Sequence, residues 1–143
     1  QPWSSELPYL ADVAKLDWLW LESFLAADAA YSPVTPAAQS RVQLHPAARF
    51  AWLATPALTI WQAHRQGFDE LDPEWCEEGA LFTRPALQVQ VQPLDRACHY
   101  LLLLVGCCSR IDECVAAVAE ACPQSNVPDL MQRCVAAGAL IIR

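Results

Sequence analysis

Apolar positions recur at helical spacing from Tyr9 to Ala27. Tyr9, Val13, Leu16, Trp20 and Phe24 share one stripe, and Ala14, Trp18, Leu21 and Leu25 form a second beside it. Together they cover roughly half of the helix surface, wide for a helix that packs on one layer. Asp17 falls between the stripes, inside the apolar sector. Burying a carboxylate alone costs several kcal/mol or more. Asp17 is therefore either solvated at the rim or paired with a cation, with Arg49 or Arg65 as the candidate partner.

The next segments are shorter. Asp28 to Ser40, with Pro33 and Pro36, reads as a loop or a short helical turn. Arg41 to Leu44 and Phe50 to Ala54 are strand candidates, and Pro56 can open a helix that runs to about Arg65. Gly67 to Glu78 is acidic and rich in breakers, as a connecting loop is.

The clearest pattern lies in the second half. Leu81 to Arg84 is strand-like, and Pro85-Ala86 is a turn. Leu87, Val89 and Val91 then alternate with Gln88, Gln90 and Gln92, a period of two. After Pro93 comes an apolar helix to about Cys107. Ser109 to Asp112 resembles a capping box opening a second helix that ends near Cys122-Pro123. Asn126 to Asp129 opens a third, from Pro128 to Ala137, closed by Gly138, and Ala139 to Ile142 is a short strand. The expected fold class is α+β. Residues 1–79 form an N-terminal helical and β portion that faces a partner. Residues 80–143 form a hairpin followed by three helices, laid out like a winged-helix unit.

Composition narrows the function. Of the 143 residues, 55% are hydrophobic and 17% charged, which excludes an intrinsically disordered chain. Six Trp imply a large core or a surface that needs a partner, and Trp52 and Trp61 are the candidates for such a patch. The formal net charge is −7, and Lys15 is the only lysine among nine basic residues. A surface that tracks phosphates needs clustered Lys and Arg, so nucleic acid is not an expected partner. Nor is a membrane: the longest apolar run, Tyr100 to Cys108, spans nine residues, about half of what a crossing helix requires. No signal peptide is visible, and the chain opens on Gln1 instead of Met, as a piece of a longer product does. Seven Cys, an odd number with Cys107 and Cys108 adjacent, read as reduced thiols of a cytoplasmic protein.

Motifs of catalysis are missing. The sequence contains no GxGxxG, P-loop, HExxH or GxSxG. Cys98, His99, Cys107 and Cys108 have the wrong spacing for a metal centre, and nothing places His45, His64 or His99 beside a thiol and a carboxylate. The chain reads as a binding module, not an enzyme, with no metal or cofactor of its own. A strand of Leu87, Gln88, Val89, Gln90 and Val91 at a sheet edge would offer unpaired N–H and C=O groups to an extended peptide. Arg133 on the third helix would stand beside that edge and could pair with acidic residues of the peptide.

Four segments together carry a family resemblance: Leu7-Pro8-Tyr9-Leu10-Ala11-Asp12-Val13-Ala14-Lys15-Leu16-Asp17-Trp18, Ala26 to Ala29, Leu44-His45-Pro46-Ala47-Ala48-Arg49 and Ile60-Trp61-Gln62-Ala63-His64-Arg65. These segments resemble the accessory subunits encoded beside multinuclear non-haem iron oxidative enzymes that modify ribosomal peptides. The match covers residues 7–65 in order and spacing; from Leu81 to Ile142 it is one of pattern more than of letters. The resemblance implies a non-catalytic subunit in a heterodimer with an iron-dependent enzyme, which holds the irons. It also implies capture of a precursor peptide's leader by the C-terminal unit. Longer members carry a helical segment ahead of the LPYLADVA-like motif, and almost none of it is present here. Some relatives have been labelled DNA-binding, so a winged-helix regulator is the alternative; it calls for a basic recognition helix, whereas Pro128 to Ala137 carries only Arg133 against Asp129.

Overall fold

The computed structural model describes residues 7–29, 40–68, 71–107 and 110–143. The cap candidate Ser109 and the loop prolines Pro33 and Pro36 lie outside the described residues. The architecture is α+β, with five α-helices and two small antiparallel sheets among the described residues. In chain order the elements are α1 (Leu10–Leu25), β1 (Val42–Leu44), β2 (Arg49–Leu53), α2 (Ala57–Arg65), β3 (Glu78–Thr83), β4 (Gln90–Leu94), α3 (Arg96–Cys107), α4 (Ile111–Ala121), α5 (Val127–Ala136) and β5 (Leu140–Ile142).

Strand order in the larger sheet is β2-β3-β4. The central strand, β3, is buried on both faces because its alternate residues serve two cores. Leu81 points into a core built by α3, α4, α5 and the β1–β5 pair, around Leu101, Leu102, Cys114, Val118 and Leu130. Ala80 and Phe82 point the other way, to Leu16 and Leu19 of α1 and to Leu58 and Trp61 of α2. The sheet is thus a wall with two helices on one side and three on the other. A division at 79/80 falls inside β3, which pairs with β2 on one edge and β4 on the other.

Close approach fixes one residue of this wall. A Cβ on Gly79 would lie 2.3 Å from the Leu94 carbonyl oxygen and 2.8 Å from the Trp52 ring, so only glycine lets β4 and that ring close on β3.

Helix ends follow the local sequence. Asn126 caps α5 by accepting the Asp129 N–H at 3.2 Å. At the other end Gly138 adopts φ 84°, and Gly138 and Ala139 donate to Val135 and Cys134, a Schellman closure that turns the chain into β5. The C-terminus of α1 is capped from outside the helix. Arg84, 6% exposed, donates to the carbonyls of Ser23, Phe24 and Ala26, and pairs with Asp28 at 2.8 Å.

One element departs from the sequence pattern. The period-two run does not begin its strand at Leu87: Pro85 to Gln88 form a tight turn closed by the Gln88 N–H on the Pro85 carbonyl at 3.2 Å, with Ala86 and Leu87 both at positive φ. The strand is β4, Gln90–Leu94, and it includes Pro93. The turn between β3 and β4 takes up Leu87, which alternation alone assigns to the next strand. The edge position accepts the proline, which could not donate to a second neighbour in any case.

Candidate functional site

Among the described residues β4 pairs only with β3, so its outer side is an open edge. Helix α5 stands alongside. Between them runs a groove of about 630 Å³, with Gln90, Gln92, Pro93 and Leu94 on the strand side and Arg133, Cys134, Ala136 and Ala137 on the helix side. Leu81 and Cys98 contribute to its lining, and Asp95 stands at the junction of β4 and α3. The small Ala136 and Ala137 leave the groove open where longer side chains would fill it. A second cleft of about 520 Å³ adjoins it, sharing Asp95 and Arg133 and continuing to Asn126, Asp129 and Leu130.

Arg133 lies where the two meet. Its guanidinium is 3.2 Å from Asp129, one turn earlier on α5, and 3.5 Å from Asp95. Both pairs are half-exposed and easily exchanged for an incoming carboxylate. In the groove wall, the buried Cys98 thiol meets Cys134 across the α3–α5 contact, and this hydrogen bond together with burial pushes the Cys98 thiol up, so it stays protonated.

The structure sorts the residues singled out in the sequence. Gln90 and Arg133 line the groove together. Val91 is on β4 but turns its side chain, with Val89, toward the α1–α2 side, where both border a smaller cleft beside Trp20, Gln62 and Arg65. Leu87, 72% exposed, sits at the hairpin tip, and Gln88 follows it outside the strand. Gln92, the last residue of the alternating run, also lines the groove; Pro93, Leu94 and Cys134 were not anticipated. Pro93 is the available signal, because a proline beside a strand pattern marks an edge.

The expected Asp17–arginine pair does not form. Asp17 is exposed and accepts the indole N–H of Trp61 at 2.7 Å. Arg49 instead donates to the carbonyls of Pro46 and Ala48 and approaches Glu22 at 3.6 Å. Arg65 lies over the Trp20 and Trp61 rings, 5.1 and 4.6 Å from their centroids. The reason is rotational: Asp17 and Glu22 flank opposite sides of the apolar stripe, and β2 lies on the Glu22 side. On the α2 side the unpaired donor is an indole, so the carboxylate needs no cation.

The Trp candidates for a partner patch also divide. Trp61 is 4% exposed and packs edge-on against Phe82, so it belongs to the core and is not available to a partner. Trp52 is half-buried, with Arg96 over its ring at 4.3 Å and His99 tilted beside it at 5.8 Å. Arg96 pairs with Glu77 and, with Trp52, holds that carboxyl below its usual range. Burial, and then the Arg96 charge, pushes the His99 imidazole down.

Among the described residues no group of three or more His, Cys, Asp or Glu is arranged to hold a metal. No helix among them is long and apolar enough to cross a membrane. No protein-family model and no curated protein matches the chain.

Proposed function

We propose that this chain is the non-catalytic, peptide-presenting subunit of a heterodimeric iron-dependent peptide-modifying oxidase. It captures the leader of a precursor peptide as an added strand and offers the core peptide to the enzyme, which holds the iron. The observation that carries this reading is the β4 edge, unpaired among the described residues, with α5 standing across a groove of about 630 Å³. Unpaired strand groups supply affinity for any sequence, and the groove wall, with Arg133 at its mouth, supplies selectivity. The β2-β3-β4 sheet followed by α3, α4 and α5 is the arrangement that a winged-helix-like peptide-recognition unit would need.

Within the family, the Thr55-Pro56-Ala57-Leu58-Thr59-Ile60-Trp61 segment is most like MbnC of methanobactin biosynthesis. On that reading the partner is an MbnB-like enzyme, and the peptide is MbnA-like. Its Cys residues become oxazolone–thioamide groups that bind copper. The chain works in the cytoplasm, where reduced thiols persist.

The regulator reading is disfavoured by α5. Its one arginine is neutralised by Asp129 and Asp95, and a recognition helix without free positive charge has little to offer a phosphate backbone.

The test is co-purification with the candidate iron enzyme, with and without precursor peptide, followed by titration of labelled leader. Retention of the enzyme and peptide conversion only when both chains are present is the expected result. Conversion by the enzyme alone, or no leader affinity in this chain, overturns the proposal.

A further inference from the structure

Helix α1 turns a continuous apolar face away from the protein. Trp18 is 61% exposed, Leu25 70% and Leu21 39%, and Ala11 and Ala14 are exposed on the same side. These five residues are spaced three and four apart, Ala11-Ala14-Trp18-Leu21-Leu25. That is the a/d seam of a coiled coil. In the same heptad frame Leu16 and Ser23, both 0% exposed, take the f positions opposite the seam and face the chain's own core. One helix thus carries two separate apolar faces, and only one is covered by the described residues.

The flanking charges select the occupant. Lys15 and Glu22 fall at the two e positions, and Asp17 at a g position, with Phe24 at the next g. In a parallel pair of α1 helices, e positions meet g positions, and Asp17 would face the Glu22 of the other copy. In an antiparallel pair, e meets e and g meets g, and two registers bring the seams together. One register sets Ala14 against Trp18; it places Lys15 against Lys15 and Asp17 against Asp17. The other sets Trp18 against Leu21 and Ala14 against Leu25; it places Lys15 against Glu22 on both sides and Asp17 against Phe24. Only this last arrangement is free of like-charge contacts, and it also fits small residues against large ones.

We propose that α1 joins two copies of this chain as an antiparallel helix pair, with Trp18 and Leu21 at its centre and Lys15–Glu22 bridges on its rim. Glu22 has an arginine neighbour of its own, Arg49 at 3.6 Å, which remains on the outer side of the bridge. The pair leaves the β4–α5 groove free, because α1 packs on the Phe82 face of the sheet and the groove opens on the Leu81 face. A contact of two helices lies at the lower end of specific interfaces, so the dimer forms at micromolar concentration.

The experiment uses the chain alone. Sedimentation velocity from about 1 to 300 μM should show a reversible monomer–dimer equilibrium. Trp18→Ala, at an exposed position, should abolish it with circular dichroism unchanged. Lys15→Glu and Glu22→Lys should each raise the dimer Kd about tenfold, and the double exchange should restore it. Because Lys15 is the only lysine, carbodiimide cross-linking followed by peptide mapping should recover a Lys15–Glu22 isopeptide from the covalent dimer. A monomer at every concentration overturns the proposal, whether the face is then found to bind the iron enzyme, another segment or nothing. So does a dimer indifferent to Trp18→Ala, or a double exchange that stays as weak as the singles. If Glu22→Lys loses structure through Arg49, Lys15→Glu, Trp18→Ala and the cross-link still decide. None of these readouts depends on peptide binding.

Discussion

Trp61 donates its indole N–H to Asp17 at 2.7 Å, tying α2 to α1 across 44 residues of sequence. The donor belongs to a buried ring and the acceptor to an exposed carboxylate, so the bond lets α2 bury a tryptophan without orphaning its N–H. Asp17→Ala should destabilise the fold by about 1–3 kcal/mol, the cost of an unsatisfied buried donor. Asp17→Asn keeps an acceptor and should lose less than half of that. Urea unfolding of both variants checks the order; equal losses would show that charge, not the acceptor, matters at this position.

Arg84 is the second tie between distant elements. Its guanidinium reaches three carbonyls at the end of α1, which no residue of the helix itself caps. Arg84→Ala should cost about 2–4 kcal/mol, since several buried acceptors lose their donor together. Arg84→Lys should recover little, because one ammonium cannot span three carbonyls in a fixed fan. Thermal unfolding of the two variants, with exchange of the α1 amides, measures the effect; fraying should concentrate at the C-terminal turn.

Stability should also fall on mild acidification through His99. Burial, and then Arg96, lowers its folded pKa below the ordinary value near 6.5. Between those two pKa values the unfolded chain binds a proton that the folded chain refuses, so unfolding is favoured as pH falls. Above pH 7 both states are neutral there and the effect vanishes. The urea midpoint of the native chain should therefore drop between pH 7 and 5.5, and His99→Gln should flatten that part of the profile. Glu77, held low by Arg96 and then Trp52, acts only at lower pH, through its own titration below about 4.5, which separates the two contributions.

How much of this was legible beforehand depends on the kind of signal. Helix α1, helix α2, the capped start of α5 and its Gly138 closure follow from local periodicity and turn chemistry, and the structure matches them to within a few residues. The hairpin was legible, but its register was not. Alternation from Leu87 to Gln92 has the same period whichever residue opens the strand, and only pairing with Glu78–Thr83 decides. The Asp17 pairing failed for a related reason. The sequence places a carboxylate in an apolar sector but does not show which neighbour brings the donor, and a tryptophan answered where an arginine was expected. The two-stripe width of α1 was visible in the sequence; its division into a covered and an uncovered face required the sheet. Arg133 was legible because it is the one cation of its helix, whereas Cys134, Ala136 and Ala137 look like ordinary helix filler until β4 lies opposite them.

Leader binding should depend on the groove and not on the hairpin tip. Leu87 and Gln88 lie beyond the strand, and neither lines the groove, so Leu87→Ala and Gln88→Ala should leave leader affinity within about twofold. Ala137→Leu, or Ala136→Leu at the exposed wall position, adds bulk where small side chains leave the groove open and should weaken binding more than either. Arg133→Glu is the sharper probe. It removes a cation that both clefts share and places a third carboxylate beside Asp95 and Asp129, so an acidic leader residue would meet repulsion. About a tenfold or greater loss is expected, with a weaker salt dependence than the native chain shows. Fluorescence polarisation of a labelled leader at two ionic strengths, with circular dichroism to confirm folding, provides the measurement. A tip substitution that weakens binding as much as Arg133→Glu would move the peptide off the β4–α5 groove and onto the hairpin turn. A loss confined to Ala136→Leu and Ala137→Leu would keep the groove and remove Arg133 from recognition.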